Sequence, residues 1–122
     1  MRSVEEIVLE TLKTVSQLGG RVFPLVAPQD VTSPFAGYTI ISKFEDFDFD
    51  GGDGLNDVYL QVDVYAFNVQ EAVKIDDSCR AALVALAECN CKTETFGRHN
   101  YEGDTKLYRV SSDYRILVES ED

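Results

Sequence analysis

Residues 58–67 alternate almost without error. Val58, Leu60, Val62, Val64 and Ala66 fall on one side of an extended chain, because strand side chains switch faces with period 2. That set predicts a core-facing strand. Tyr59, Gln61, Asp63, Tyr65 and Phe67 fall on the other side, mixing three aromatics with polar groups. A face left to water has little use for three aromatics, so Tyr59, Tyr65 and Phe67 are expected to meet another subunit or a loop.

The remaining segments show equally distinct periods. Val4, Ile7, Val8, Leu12, Val15 and Leu18 recur at helical spacing and predict a helix over 3–18. Ser3 and Glu6 supply a capping box at its start, and Gly19-Gly20 a left-handed stop at its end. The following 21–28 stretch reads as extended, and its two prolines exclude a helix and a central strand alike. Gly37 to Phe44, rich in aromatic and β-branched residues, predicts a strand. Residues 45–57 form an acidic, glycine-rich loop before the alternating strand, so the two strands make a hairpin with a long tip.

Asn68 with Glu71 signals a second helix start. Ala72, Ile75, Cys79, Ala82, Leu83 and Leu86 line one side of this helix to about Ala87. Thr93 to Tyr101 is a weaker strand, and Glu102-Gly103-Asp104 a turn. In Leu107 to Glu119, Tyr108, Val110, Ser112, Tyr114, Ile116 and Val118 share one face. Arg109, Ser111, Asp113, Arg115 and Glu119 share the other. Helix, strands, helix, strands without a βαβ repeat predicts an α+β fold. Its form is one antiparallel sheet containing the long hairpin, with helices packed on one face. At 122 residues the chain is expected to be one domain over 1–122.

Charge narrows the function classes. A formal net charge of −11 argues against specific nucleic-acid binding, which needs Lys and Arg to displace counterions from phosphates. It suits solubility, or a wall that DNA slides past. No apolar run approaches the roughly 18–20 residues a membrane span requires. Residues 1–6 carry acids where an export signal needs an apolar core, so export is not expected. Three cysteines, an odd count, read as free thiols in a reducing cytoplasm.

Chemistry has few candidates. Asp46, Asp48, Asp50 and Asp57 occupy positions 1, 3, 5 and 12 of a calcium-loop pattern with Gly51 at position 6, making them weak metal candidates. Asp53 stands where such a loop is apolar, Asp57 is shorter than the usual Glu, and both flanks read as strand. The competing reading is a solvated hairpin tip carrying Asp48, Asp50 and Asp53. Cys89 and Cys91 with Cys79 and His99 lack zinc spacing. His99 has no serine or cysteine nucleophile in a suitable context, and Gly51-Gly52-Asp53-Gly54 lacks the Lys-Ser/Thr of a phosphate loop. No enzyme activity and no cofactor are expected.

Four stretches in register carry a likeness across nearly the whole chain. They are Gly20-Arg21-Val22-Phe23-Pro24 with Ala27-Pro28 and Pro34, Tyr38-Thr39-Ile40-Ile41-Ser42, Leu60 to Ala66 running into a helix, and Tyr108 to Arg115. In this order they resemble the tail-completion or tail-terminator proteins of long-tailed bacteriophages and prophages. The acidic tip departs from that pattern. The resemblance implies a structural virion protein, assembled in the host bacterial cytoplasm and placed at the head-proximal end of the tail. It implies a hexameric ring that caps the tail tube, ends its polymerisation and offers a head–tail joining surface. The implied partners are further copies of the chain, the tail tube protein, and a head-side connector or neck protein, with DNA passing through the ring and no membrane. Six copies would carry about −66 formal charge, keeping a DNA channel non-adhesive if the acids line it. Two other readings stay open: a different neck or minor tail joining protein of similar fold, and a calcium-responsive binding module.

Overall fold

The capping box at Ser3 forms as its spacing predicts. The computed structural model describes residues 3–25, 27–28, 30–46, 55–87 and 89–119. Ser3 Oγ accepts from the Glu6 N–H at 3.1 Å, and Glu6 Oε1 accepts from the Ser3 N–H at 3.2 Å, satisfying two of the helix's free donors. Helix α1 (Val4–Lys13) is shorter than its apolar stripe. The stripe continues through a single 3-10 turn, Ser16–Leu18, which keeps Val15 and Leu18 buried and ends at Gly19 in the left-handed conformation, φ 56°.

Five strands follow: β1 (Val22–Pro24), β2 (Phe35–Asp46), β3 (Leu55–Ala66), β4 (Asn90–Glu102) and β5 (Leu107–Glu119), with helix α2 (Val69–Val84) between β3 and β4. They form one sheet in the order β1-β2-β3-β5-β4. Every neighbouring pair is antiparallel except β1 with β2, which is parallel, so the sheet is mixed rather than wholly antiparallel. The exception arises because the chain leaves β1 through the 25–34 strap and returns in the same direction. Pro24 is tolerated there because β1 is an edge strand, needing no N–H on its outer side.

The alternating strand lies at the centre, between β2 and β5. Val58, Leu60, Val62, Val64 and Ala66 are each no more than 1% exposed, and Val110, Tyr114 and Ile116 of β5 continue the same face. Both helices cover this face. Val8 and Leu12 of α1 join Ala72, Ile75, Cys79 and Leu83 of α2 in one core with these strands. Full burial of each such aliphatic side chain stabilises the fold by about 1.5–3 kcal/mol. Asn68 caps α2 by accepting the Glu71 N–H at 2.8 Å, and the helix ends at Val84, three residues before the expected Ala87.

The β4 edge is blunted by bulges, and at the other edge β1 pairs with Ala36–Tyr38 of the longer β2. β1 is three residues long and ends in Pro24. On β4 the register slips twice, between Thr93 and Thr95 and again between Thr95 and Arg98, where Gly97 takes φ 74°. Such bulges, with Lys92, Glu94 and Arg98 along the strand, discourage strand-to-strand addition.

Two hydrogen-bonded polar side chains, Asp76 and Ser112, are buried in the core. Asp76, 1% exposed, accepts the Ser112 hydroxyl at 2.9 Å and faces Arg80 Nη1 at 3.3 Å. The Ser112 oxygen in turn accepts the Gly97 N–H at 3.2 Å, so this chain of bonds links α2, β5 and the β4 bulge. Burial pushes the Asp76 carboxyl up, while Ser112 and Arg80 hold part of that rise back. The folded state therefore keeps this proton to a higher pH than the unfolded chain. Stability from Asp76 is lost as pH climbs from the ordinary carboxylate range through its raised value. Glu5 and Asp57 act oppositely, since Lys43 and Arg115 lower their carboxyls, and their contribution fades as pH falls below the ordinary range. Asp76→Asn is expected to flatten only the upper window, read from urea midpoints across a pH series. A decline above the carboxylate range that persists in the variant would assign it to another group.

Candidate assembly surface

Two helices cover one face of the sheet, and among the described residues no helix covers the other, open face. Period 2 puts Asp57, Tyr59, Gln61, Asp63 and Tyr65 of β3 on this open face, flanked by Arg109, Ser111, Asp113 and Arg115 of β5. The surface has two aromatic ends and a polar middle. At one end Phe35 stacks on Tyr65 with centroids 4.7 Å apart and planes 14° from parallel, and Phe23 meets Phe35 edge-on at 6.4 Å. At the other end Phe44 meets Tyr59 edge-on at 5.9 Å, beside Ile41. Ile41 and Phe44 are 57% and 56% exposed, a large outlay of apolar surface to water for side chains on a sheet.

The charges between these ends are already paired within the chain. Arg115 grips Asp57 in a two-point bond, Nε to Oδ1 at 2.8 Å and Nη2 to Oδ2 at 2.6 Å. Arg98 reaches Asp113 at 2.5 Å, and Thr95 donates to the same carboxylate at 2.8 Å. Arg109 meets Glu102 at 2.9 Å. Asp63 accepts from Gln61 at 3.0 Å and from the Ser111 hydroxyl. A surface whose arginines are pre-paired loses less on burial than one of isolated ions, because each charge keeps its partner when water leaves. These pairs lie on a chain of net charge −11.

Asp57 is thus placed on β3, not in a loop, and both its carboxylate oxygens are engaged by Arg115. Cys79 and Cys91 are buried and His99 is exposed, the Cys91 thiol being pushed up to about 12 by its burial. Among the described residues no group of three or more His, Cys, Asp and Glu converges on a point. Asp48, Asp50 and Asp53 lie outside the described residues, and so does the side chain of Asp46. Tyr59 and Tyr65 are half-buried by their aromatic neighbours, while Phe67, just past the end of β3, is 68% exposed.

Phe67 borders a cleft of about 910 Å³ at the Tyr65 end, between the 25–34 strap and the β4–β5 turn. Leu25, Phe35, Tyr65 and Leu107 supply apolar walls, and Asp30 and Asp104 stand among its lining residues. The arginine partners of the open face went unassigned in the sequence, although alternation already put Arg109, Asp113 and Arg115 together. What was missing was the pairing of β5 with β3, which sets Arg115 opposite Tyr59 and beside Asp57. Removing that grip with Arg115→Gln is expected to raise the Asp57 carboxyl toward the ordinary range. A carboxyl carbon NMR titration reads this directly, and an unmoved Asp57 would show that Arg115 is not what lowers it.

Comparison with known proteins gives the fold relatives and a family. No curated protein matches the chain in sequence. Among solved structures, a chain from the "Virion of native gene transfer agent (GTA) particle" superposes with a TM-score of 0.73 at 15% identity, covering 97% of this chain and 96% of that one. At that identity the likeness shows a shared fold. The family model described as "Tail completion protein gp17" matches residues 7–119, from the first helix to the end of β5. The chain belongs to the tail completion protein gp17 family, and by that membership is a structural protein of a phage-type tail and a virion component.

Proposed function

We propose that the protein forms a ring, most simply a hexamer, on the head-proximal end of the tail tube, ending tube growth and presenting the surface to which the head joins. The observation that carries this reading is the open sheet face. It holds exposed aromatic and aliphatic side chains around internally paired charges, while bulges blunt the β4 edge. A closed ring needs two different patches on each copy, because a head-to-tail contact joins unlike surfaces. The open face and the helix-covered side supply unlike surfaces on one small domain. Tyr59, Tyr65 and Phe67 are then anchors for neighbouring chains of the assembly, and the partners are the tube protein and a head-side connector or neck protein. Family membership favours a joining role, and a neck or minor tail component of the same fold is the nearest rival.

Purified protein examined by native mass spectrometry and electron microscopy should give six-fold rings, alone or on tubes. Added to polymerising tail-tube protein, it should cap one end and fix tube length, whereas a neck protein would leave tube length unchanged. Phe44→Ala with Tyr59→Ala should weaken ring formation by about 30-fold or more, as loss of an aromatic anchor does. The same pair should cost the isolated subunit about 1–2 kcal/mol, because Phe44 is already half in water. Rings of unchanged affinity would take the contact away from this end of the face. The acids between β2 and β3, Asp48, Asp50 and Asp53, are proposed to face a DNA channel. Replacing Asp48, Asp50 and Asp53 with Asn should then slow DNA passage and lower infectivity, and unchanged values would put those acids elsewhere.

A further inference from the structure

The cleft at the Tyr65 end differs from the rest of the open face in one respect. Elsewhere on the face each arginine already holds a carboxylate, but Asp30 and Asp104 on this rim have no ion-pair or hydrogen-bond partner among the described residues. The walls between them are apolar. Leu25 is 71% exposed and Phe67 68% exposed, with Phe35, Tyr65 and Leu107 forming the floor. Among the described residues that line the cleft none is a lysine or arginine, Lys106 standing exposed in the turn between Thr105 and Leu107. The cleft's fixed charge is therefore negative, with Glu102 alone neutralised by Arg109.

The cleft is also held open in advance. The strap is pinned at Leu25, whose N–H donates to Tyr38 O at 2.9 Å, and at Pro34, whose carbonyl accepts Arg21 Nε at 2.8 Å. On the opposite wall the Lys106 N–H donates to Glu102 O at 2.8 Å. Leu25, Asp30 and Lys106 take φ of 61°, 64° and 59°, and they are the non-glycine residues in the left-handed region among those described. All three belong to the segments that wall this one cleft. Backbone held in so disfavoured a conformation persists where the surroundings enforce it, and it concentrates where ligands are clamped. A preformed groove also avoids the ordering cost a flexible one would meet on binding.

Resting on the reading of this chain as a tail assembly protein, we propose that the cleft docks a cationic segment of a different protein of the tail. An aliphatic or aromatic side chain of that segment would seat on Phe35, Tyr65 and Leu107, and a Lys or Arg would reach Asp30 and Asp104. A second copy of this chain is a poor occupant. With 22 acidic residues against 11 basic, and Arg80, Arg98, Arg109 and Arg115 already held by its own carboxylates, a copy has few cations to offer Asp30 and Asp104. The two aromatic ends of the open face thus divide their work, copies meeting at Tyr59 and Phe44 and a foreign chain meeting the cleft at Tyr65 and Phe67.

Two dye-labelled peptides serve as probes for the full-length protein: Leu-Lys-Bpa-Arg-Leu and Leu-Glu-Bpa-Glu-Leu, Bpa being photoreactive benzoylphenylalanine. Fluorescence polarisation reads affinity, and photocrosslinking with mass spectrometry reads position. The cationic peptide should bind and label residues of the strap, the 65–67 segment or the 102–107 turn, and added salt should weaken it. The Asp30→Asn/Asp104→Asn variant keeps residues tolerant of the strap conformation and should bind it about tenfold more weakly. That variant should still form the same rings. Equal binding of the acidic peptide, crosslinks outside the cleft, or no binding at millimolar peptide would each overturn the proposal. So would loss of rings in a variant whose circular dichroism is unchanged, which would make the cleft a contact between copies. Tube capping by the wild-type protein is scored separately, so failure of the tail-end reading is told apart from failure of the cleft.

Discussion

Two helices cannot cover both faces of a five-stranded sheet, and the rest of this structure depends on which face they take. The aliphatic side of β3 decides it. With Val58, Leu60, Val62, Val64 and Ala66 pointing one way at the centre of the sheet, both helices must pack there to remove them from water. The opposite side of the same strand is then committed to the exterior. Its aromatics do not shed water completely within one copy, and its charges settle into pairs with the neighbouring strand.

The polar interior follows from the same constraint. Asp76 sits on the buried side of α2 because the helix must present Ala72, Ile75 and Cys79, and residue 76 falls within that arc. Its carboxylate is tolerable only because Ser112 and Arg80 answer it. Ser112 is likewise the one hydroxyl in the inward row of β5 between Val110 and Tyr114, and it is buried for that role. The pair ties a helix to a strand where apolar contacts alone would permit sliding.

Much of this was legible in the residue order because local periods and caps agree with the fold. The Ser3 and Asn68 caps, the Gly19 stop and the face assignments of β3 and β5 were each written in spacing alone. Strand pairing was not. That β5 lies between β3 and β4, and that β1 runs parallel to β2, depend on contacts between distant segments, which periodicity does not encode. The Asp57–Arg115 grip was hidden for this reason. Read locally, Asp57 completes an acidic series, whereas across the sheet it has a guanidinium partner 58 positions away. The cleft is not written in spacing either, since its walls come from the strap, the end of β3 and the β4–β5 turn.

The strict alternation along β3 also separates two kinds of evolutionary change. Odd positions from Asp57 to Tyr65 meet the exterior, and even positions from Val58 to Ala66 meet the core. A substitution at Tyr59 or Tyr65 can therefore retune what the protein recognises while the neighbouring Val58, Leu60 or Val64 goes on holding the fold. One twelve-residue strand carries two independent specifications, and a lineage can rewrite the first without renegotiating the second.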